Sequence, residues 1–108
     1  FKGALTEQYV AQQLYCKGFS PAYWSSGTGT AETDFCVALQ GKVLPIEVKA
    51  GENLRSKSLR VACEKFGLEK AMRTSLSPYR DDGWLMNVPL WAVGQFDQLL
   101  RSKATSSA

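Results

Sequence analysis

The sequence predicts an α/β domain, a mixed central β-sheet flanked by helices, and three observations carry that expectation. The apolar pattern runs helix, three strands, helix, strand, strand, helix. Two of the strands fold back on each other about Gln40-Gly41, a two-residue connection of the commonest hairpin kind. A length of 108 residues allows one domain with a modest core.

From about Lys2 to Gly18 the spacing is helical, and Gly18 is placed to cap the C-terminus. Ala4, Val10, Ala11, Leu14, Tyr15 and Gly18 form one stripe, with Glu7 near its middle. A carboxylate on a buried stripe needs a partner, a hydrogen bond or a metal. Alternatively, Glu7 sits at the stripe's edge, satisfied by the helix N-terminus or an arginine. Phe19-Ser20-Pro21 breaks the helix, and the aromatic Ala22-Tyr23-Trp24-Ser25 reads as a short strand. The loop Ser25-Ser26-Gly27-Thr28-Gly29-Thr30 contains GxG but neither GxxxxGK[ST] nor GxGxxG, and so reads as a turn rather than a phosphate cradle.

The hairpin from Ala31 to Gly51 carries the chemistry. Side chains alternate along a strand, so Glu32, Asp34, Cys36 and Ala38 share a face, as do Glu47 and Lys49. A turn at Gln40-Gly41 sets Leu39 opposite Lys42, Asp34 opposite Glu47 and Glu32 opposite Lys49. Like charges directly opposed destabilise a sheet, so the Asp34–Glu47 pair calls for a cation or a proton between them. A one-residue slip of register would separate the pair.

Ala50-Gly51-Glu52-Asn53 reads as a loop, and Ser56 or Ser58 can N-cap a helix through Phe66 that stops at Gly67. Leu59, Ala62, Cys63 and Phe66 form its expected inward stripe. Strands are expected at Lys70–Leu76 and Trp84–Val88, with a turn between them. Pro89 can open a last helix carrying Leu90, Val93, Leu99 and Leu100, and residues 102–108 read as a frayed polar tail. Trp24 and Trp84 are expected in the core rather than as base-stacking platforms, and Cys36 and Cys63 as small buried hydrophobes.

Composition narrows the chemistry. The chain has no histidine and three cysteines without CxxC spacing, which argues against zinc, a Ser–His or Cys–His nucleophile and a disulfide scaffold. Oxygen ligands remain, suited to magnesium, manganese or calcium. The cysteine usage fits a reducing, cytoplasmic compartment, and no apolar run is long enough to span a bilayer. Net charge is +3, yet residues 55–80 hold seven basic residues against two acidic ones. Such a stripe suits a polyanion, or is simply a solvated helix face.

An aspartate followed about a dozen residues later by Glu-x-Lys suits phosphodiester hydrolysis. Asp34 and Glu47 would hold a magnesium or manganese ion, with the Val48 carbonyl as a third oxygen and Glu7 completing the shell. Lys49 would orient water or stabilise developing negative charge. Arg55, Lys57, Arg60 and Arg73 would meet nucleic-acid phosphates, although Arg73 could instead pair with the acidic face as a counter-ion.

Asp34 with Ile46-Glu47-Val48-Lys49 resembles the core of the PD-(D/E)xK nuclease superfamily, with Glu7 matching the acidic residue that many members carry on the first helix. Thr33 stands where the superfamily's name has proline. Ala31-Glu32-Thr33-Asp34-Phe35, Ile46-Glu47-Val48-Lys49-Ala50-Gly51 and Ser75-Leu76-Ser77-Pro78-Tyr79 resemble the DUF4143 domain at the C-terminus of bacterial and archaeal AAA+-type ATPases. That resemblance covers Gly3 to about Leu100. It implies a restriction-endonuclease-like fold with an αβββαβ core across residues 1–101, and Mg²⁺ or Mn²⁺ held by the aspartate and glutamate. It also implies a nucleic-acid substrate, DNA by analogy with the superfamily, and an ATPase half upstream. The start at Phe1 fits an excised domain, and no Walker motif is present. The alternative expectation is a catalytically inactive module that binds nucleic acid or a protein partner for the ATPase.

Overall fold

The computed structural model describes residues 2–24, 34–49 and 57–99. Its first helix, α1 (Lys2–Cys16), ends where Gly18 takes a φ of +86°. The Gly18 N–H donates to the Tyr15 carbonyl at 2.9 Å and the Phe19 N–H to the Leu14 carbonyl at 3.0 Å. This is a Schellman cap, and it folds Phe19 back onto the core beside Leu14. Tyr15, expected on the inward stripe, is exposed instead. Phe19 brings the apolar surface beyond Leu14, packing against Phe96 with ring centroids 5.0 Å apart.

Three strands follow: β1 (Ala22–Trp24), β2 (Asp34–Leu39) and β3 (Lys42–Val48). The β2–β3 turn is Gln40-Gly41, both with positive φ (54° and 77°), which is the type I′ geometry whose twist matches that of the strands. Leu39 pairs with Lys42 and Asp34 with Glu47, the expected register. Helix α2 (Lys57–Phe66) is closed by Gly67 at φ +64°, and the Leu68 N–H donates to the Cys63 carbonyl at 2.9 Å. Leu68 thereby packs beside Cys63, while Phe66, expected to face the sheet, is exposed. The cap delivers the next apolar side chain from beyond the helix, so Phe66 is not needed at the sheet.

The chain then runs through β4 (Ala71–Ser75), a two-residue strand β5 (Arg80–Asp81) and β6 (Leu85–Pro89). β5 lies in the stretch expected to be only a turn; Asp81 accepts from the Gly83 N–H at 2.8 Å and tightens the return into β6. The sheet order is β1-β2-β3-β4-β6-β5, with β3, β4 and β6 parallel to one another and the remaining pairings antiparallel. The closing helix is 3-10 over Leu90–Gln95, becoming α-helical at 96–99.

Alternation along the strands builds two unequal layers. Phe35, Val37, Leu44, Ile46, Met72, Met86 and Val88 face α1 and the closing helix, meeting Val10, Leu14, Val93 and Phe96 in the larger cluster. Each fully buried side chain of this kind contributes about 1.5–3 kcal/mol. On the other face Leu59 and Cys63 of α2 meet Ala71 and Leu85 in a smaller cluster, with Leu68 and Trp84 at its edge. Burial holds the Cys63 thiol above its ordinary pKa, helped by the neighbouring Glu64 charge. Among the described residues no helix is long and apolar enough to cross a membrane.

Candidate functional site

The α2 face of the sheet carries a line of polar residues that runs across the strands. The register pairs Asp34 with Glu47, Glu47 with Arg73, Arg73 with Asn87, and Asn87 with Arg80. Register partners project to the same face, so β3, β4, β6 and β5 each contribute one member, and the Asp34 backbone on β2 takes the next register position. Three of them are deeply buried, with Glu47 at 0 %, Arg73 at 7 % and Asn87 at 2 % exposure. An ionised carboxylate with no access to water costs several kcal/mol unless its charge is answered. Here it is answered from two sides.

Lys49, also buried, brings Nζ to 3.7 Å from Glu47 Oε1. Its position is fixed by the backbone, since the Lys49 N–H donates to the Thr74 carbonyl at 3.0 Å and prolongs the β3–β4 ladder. Arg73 answers from β4. Burial lowers its pKa, and the Glu47 charge opposes that fall. A guanidinium starts from so basic a value that Arg73 remains cationic at neutral pH.

Arg73 is itself anchored. Its Nε donates to Asn87 Oδ1 at 3.0 Å, and Ser75 Oγ donates to the same oxygen at 2.7 Å. The Asn87 amide donates to the carbonyls of Ser77 and Pro78 at 3.1 and 2.9 Å. The segment after β4 is thus tied to the middle of the sheet, and Asn87 is the hub. In the sequence the only signal for Asn87 is an amide at an inward strand position, Leu85-Met86-Asn87-Val88, where an apolar residue is the default.

The structure therefore brings together Glu47, Lys49 and Arg73, with Asp34 at the paired backbone position of β2. The Asp34 side chain, Arg55 and the Lys57 side chain lie outside the described residues. Glu7 is half-buried on the same stripe as Val10 and Leu14, and α1 packs on the opposite face of the sheet from Glu47. Glu7 and Glu47 thus start from opposite faces. Among the described residues no group of three or more His, Cys, Asp or Glu side chains is arranged to hold a metal.

On α2, Arg60 is exposed, pairs with Glu64 at 3.6 Å and lies 5.9 Å from the Trp84 ring centroid. An exposed ion pair of this kind contributes little to stability and leaves the cation accessible. Cys36 is half-buried and Cys16 exposed.

The oxygen donors on this face suit a hard divalent cation better than a soft one. Two cations beside Glu47 already meet part of its charge, so any such ion would be held weakly.

No curated protein and no solved structure matches the chain. Residues 2–91 match the family model described as Domain of unknown function (DUF4143). The chain belongs to the DUF4143 family.

Proposed function

We propose that this domain is a restriction-endonuclease-like, divalent-metal-dependent nuclease acting on nucleic acid, DNA by analogy, in the cytoplasm as the C-terminal partner of an AAA+-type ATPase. The observation that carries the reading is the register pairing of Asp34 with Glu47, with Lys49 Nζ 3.7 Å from the Glu47 carboxylate. The αβββαβ order of the first six core elements and the PD-(D/E)xK wording support it.

In this reading Asp34, Glu47 and the Val48 carbonyl hold Mg²⁺ or Mn²⁺. When bound, the ion supplies Lewis acidity toward a phosphate oxygen and lowers the pKa of water. Lys49 holds its ammonium where negative charge grows as water oxygen bonds to phosphorus and the P–O ester bond breaks. The water's proton leaves to solvent and the departing oxygen is protonated in turn. Glu7, starting from the other face, assists through water rather than as a principal ligand. Arg55, Lys57 and Arg60 hold the strand by its phosphates.

A second reading is favoured by one specific observation, the buried Arg73 beside Glu47. A carboxylate already compensated by arginine and lysine needs no metal, and the domain would then bind nucleic acid or a protein partner without cutting. Incubating plasmid and single-stranded DNA with manganese separates the two. Cleavage that Asp34→Asn and Lys49→Met abolish supports the nuclease; binding without cleavage supports the module. Cleavage that persists in both variants sinks the assignment of the site.

A further inference from the structure

At the other end of the sheet lies a cavity of about 480 Å³ that the row of polar residues does not touch. It opens where β3 and β4 diverge. Their parallel pairing runs from Ile46 with Met72 to Val48 with Thr74, so Lys42–Leu44 have β2 on one side and the segment leading from α2 into β4 on the other. Leu39, Leu44 and Leu68 give it apolar walls, while Lys42, Lys70 and Glu69 give it a polar rim. Both lysines are exposed, and the rim carries one net positive charge. Two of its lining positions belong to turns already described, Gln40 of the Gln40-Gly41 turn and Gly67 of the cap that seats Leu68.

Lys42 and Glu47 are five positions apart on β3, roughly 16 Å at strand rise, so this cavity is separate from the candidate nuclease site. Its volume falls within the range of small-molecule pockets, and apolar walls with a few polar groups at the mouth are their usual lining.

We propose that this cleft is a binding site for a small amphipathic organic anion, an apolar body carrying a carboxylate or sulfonate. The body replaces water against Leu39, Val43 and Leu68, and the anionic head sits between Lys42 and Lys70. A neutral ligand of the same shape forgoes the lysines, and a cation is repelled by them.

Anilinonaphthalene sulfonate is the probe, followed by its fluorescence with the whole domain. The expected result is saturable one-site binding, displaced by decanoate and not by decanol. The Lys42→Glu, Lys70→Glu double variant changes only exposed side chains and should weaken binding about tenfold, as expected for loss of two solvent-exposed charge contacts. Glu69→Lys should strengthen it, and Lys17→Gln, a change at an exposed residue outside the cavity lining, should leave it unchanged. Non-saturable binding, equal displacement by decanol, or affinity indifferent to Lys42→Glu, Lys70→Glu overturns the proposal.

Discussion

Glu47 and Arg73 occupy one register position of the parallel strands β3 and β4, both buried on the same face. With Lys49 they form a charge-compensated centre inside the sheet, and Asn87 holds the arginine in place. The proposed metal must compete with these cations for the carboxylate.

Arg73→Gln tests that competition. Removing the guanidinium leaves Glu47 with less compensation and should cost about 3 kcal/mol of stability without metal. Manganese should then restore much of the loss, and its affinity should rise by about tenfold or more as the opposing charge is removed. Thermal melts with and without manganese, set beside wild type, give both numbers.

Asn87→Leu should act through Arg73 and through the segment after β4 together. It leaves the Ser77 and Pro78 carbonyls and the Arg73 Nε without their partner, so a loss of about 2–4 kcal/mol is expected by chemical denaturation.

The hairpin and this pairing were legible because two signals agreed. Gln40-Gly41 set the turn, and alternation about it put Asp34 against Glu47, which is the observed register. Helix ends were also legible from Gly18 and Gly67. Tyr15 and Phe66 fall on the expected inward stripes yet are exposed, because periodicity treats a helix as though its stripe continued unchanged to the last residue. Each Schellman cap instead supplies an apolar side chain from beyond the helix, Phe19 and Leu68. Lateral neighbours in the parallel part of the sheet were not legible, because no short turn links β3 to β4 or β4 to β6 to set their register. The sequence therefore leaves the role of Arg73 open and does not single out Asn87.

Gly18→Ala and Gly67→Ala should each cost about 1–2 kcal/mol, since a Cβ is strained at their positive φ although it meets no neighbouring atom among the described residues. The sites are on different helices, so the losses should add in the double variant. Urea titration checks both statements.

Thr74 buries its hydroxyl without a hydrogen-bond partner among the described residues, between Val48 and Val88 by register. Thr74→Val replaces it with a methyl group of the same shape and should stabilise the domain by about 1 kcal/mol, seen as a higher Tm.

Cys63 sets a pH dependence. Its thiol pKa is raised in the folded state by burial and Glu64, so an unfolded chain loses that proton first as pH rises. Its contribution is full below the unfolded pKa and is lost as pH climbs through the folded value, so stability should decline above about pH 8.5. Cys63→Ala should flatten that decline in pH-resolved melts.

The proposed ion site of Asp34 and Glu47 is read out by calorimetric titration of manganese into wild type, Asp34→Asn and Glu47→Gln. Weak, saturable binding of one ion to wild type, lost in either variant, is the expected result. Binding that survives both substitutions, or no binding to wild type at millimolar manganese, would contradict it.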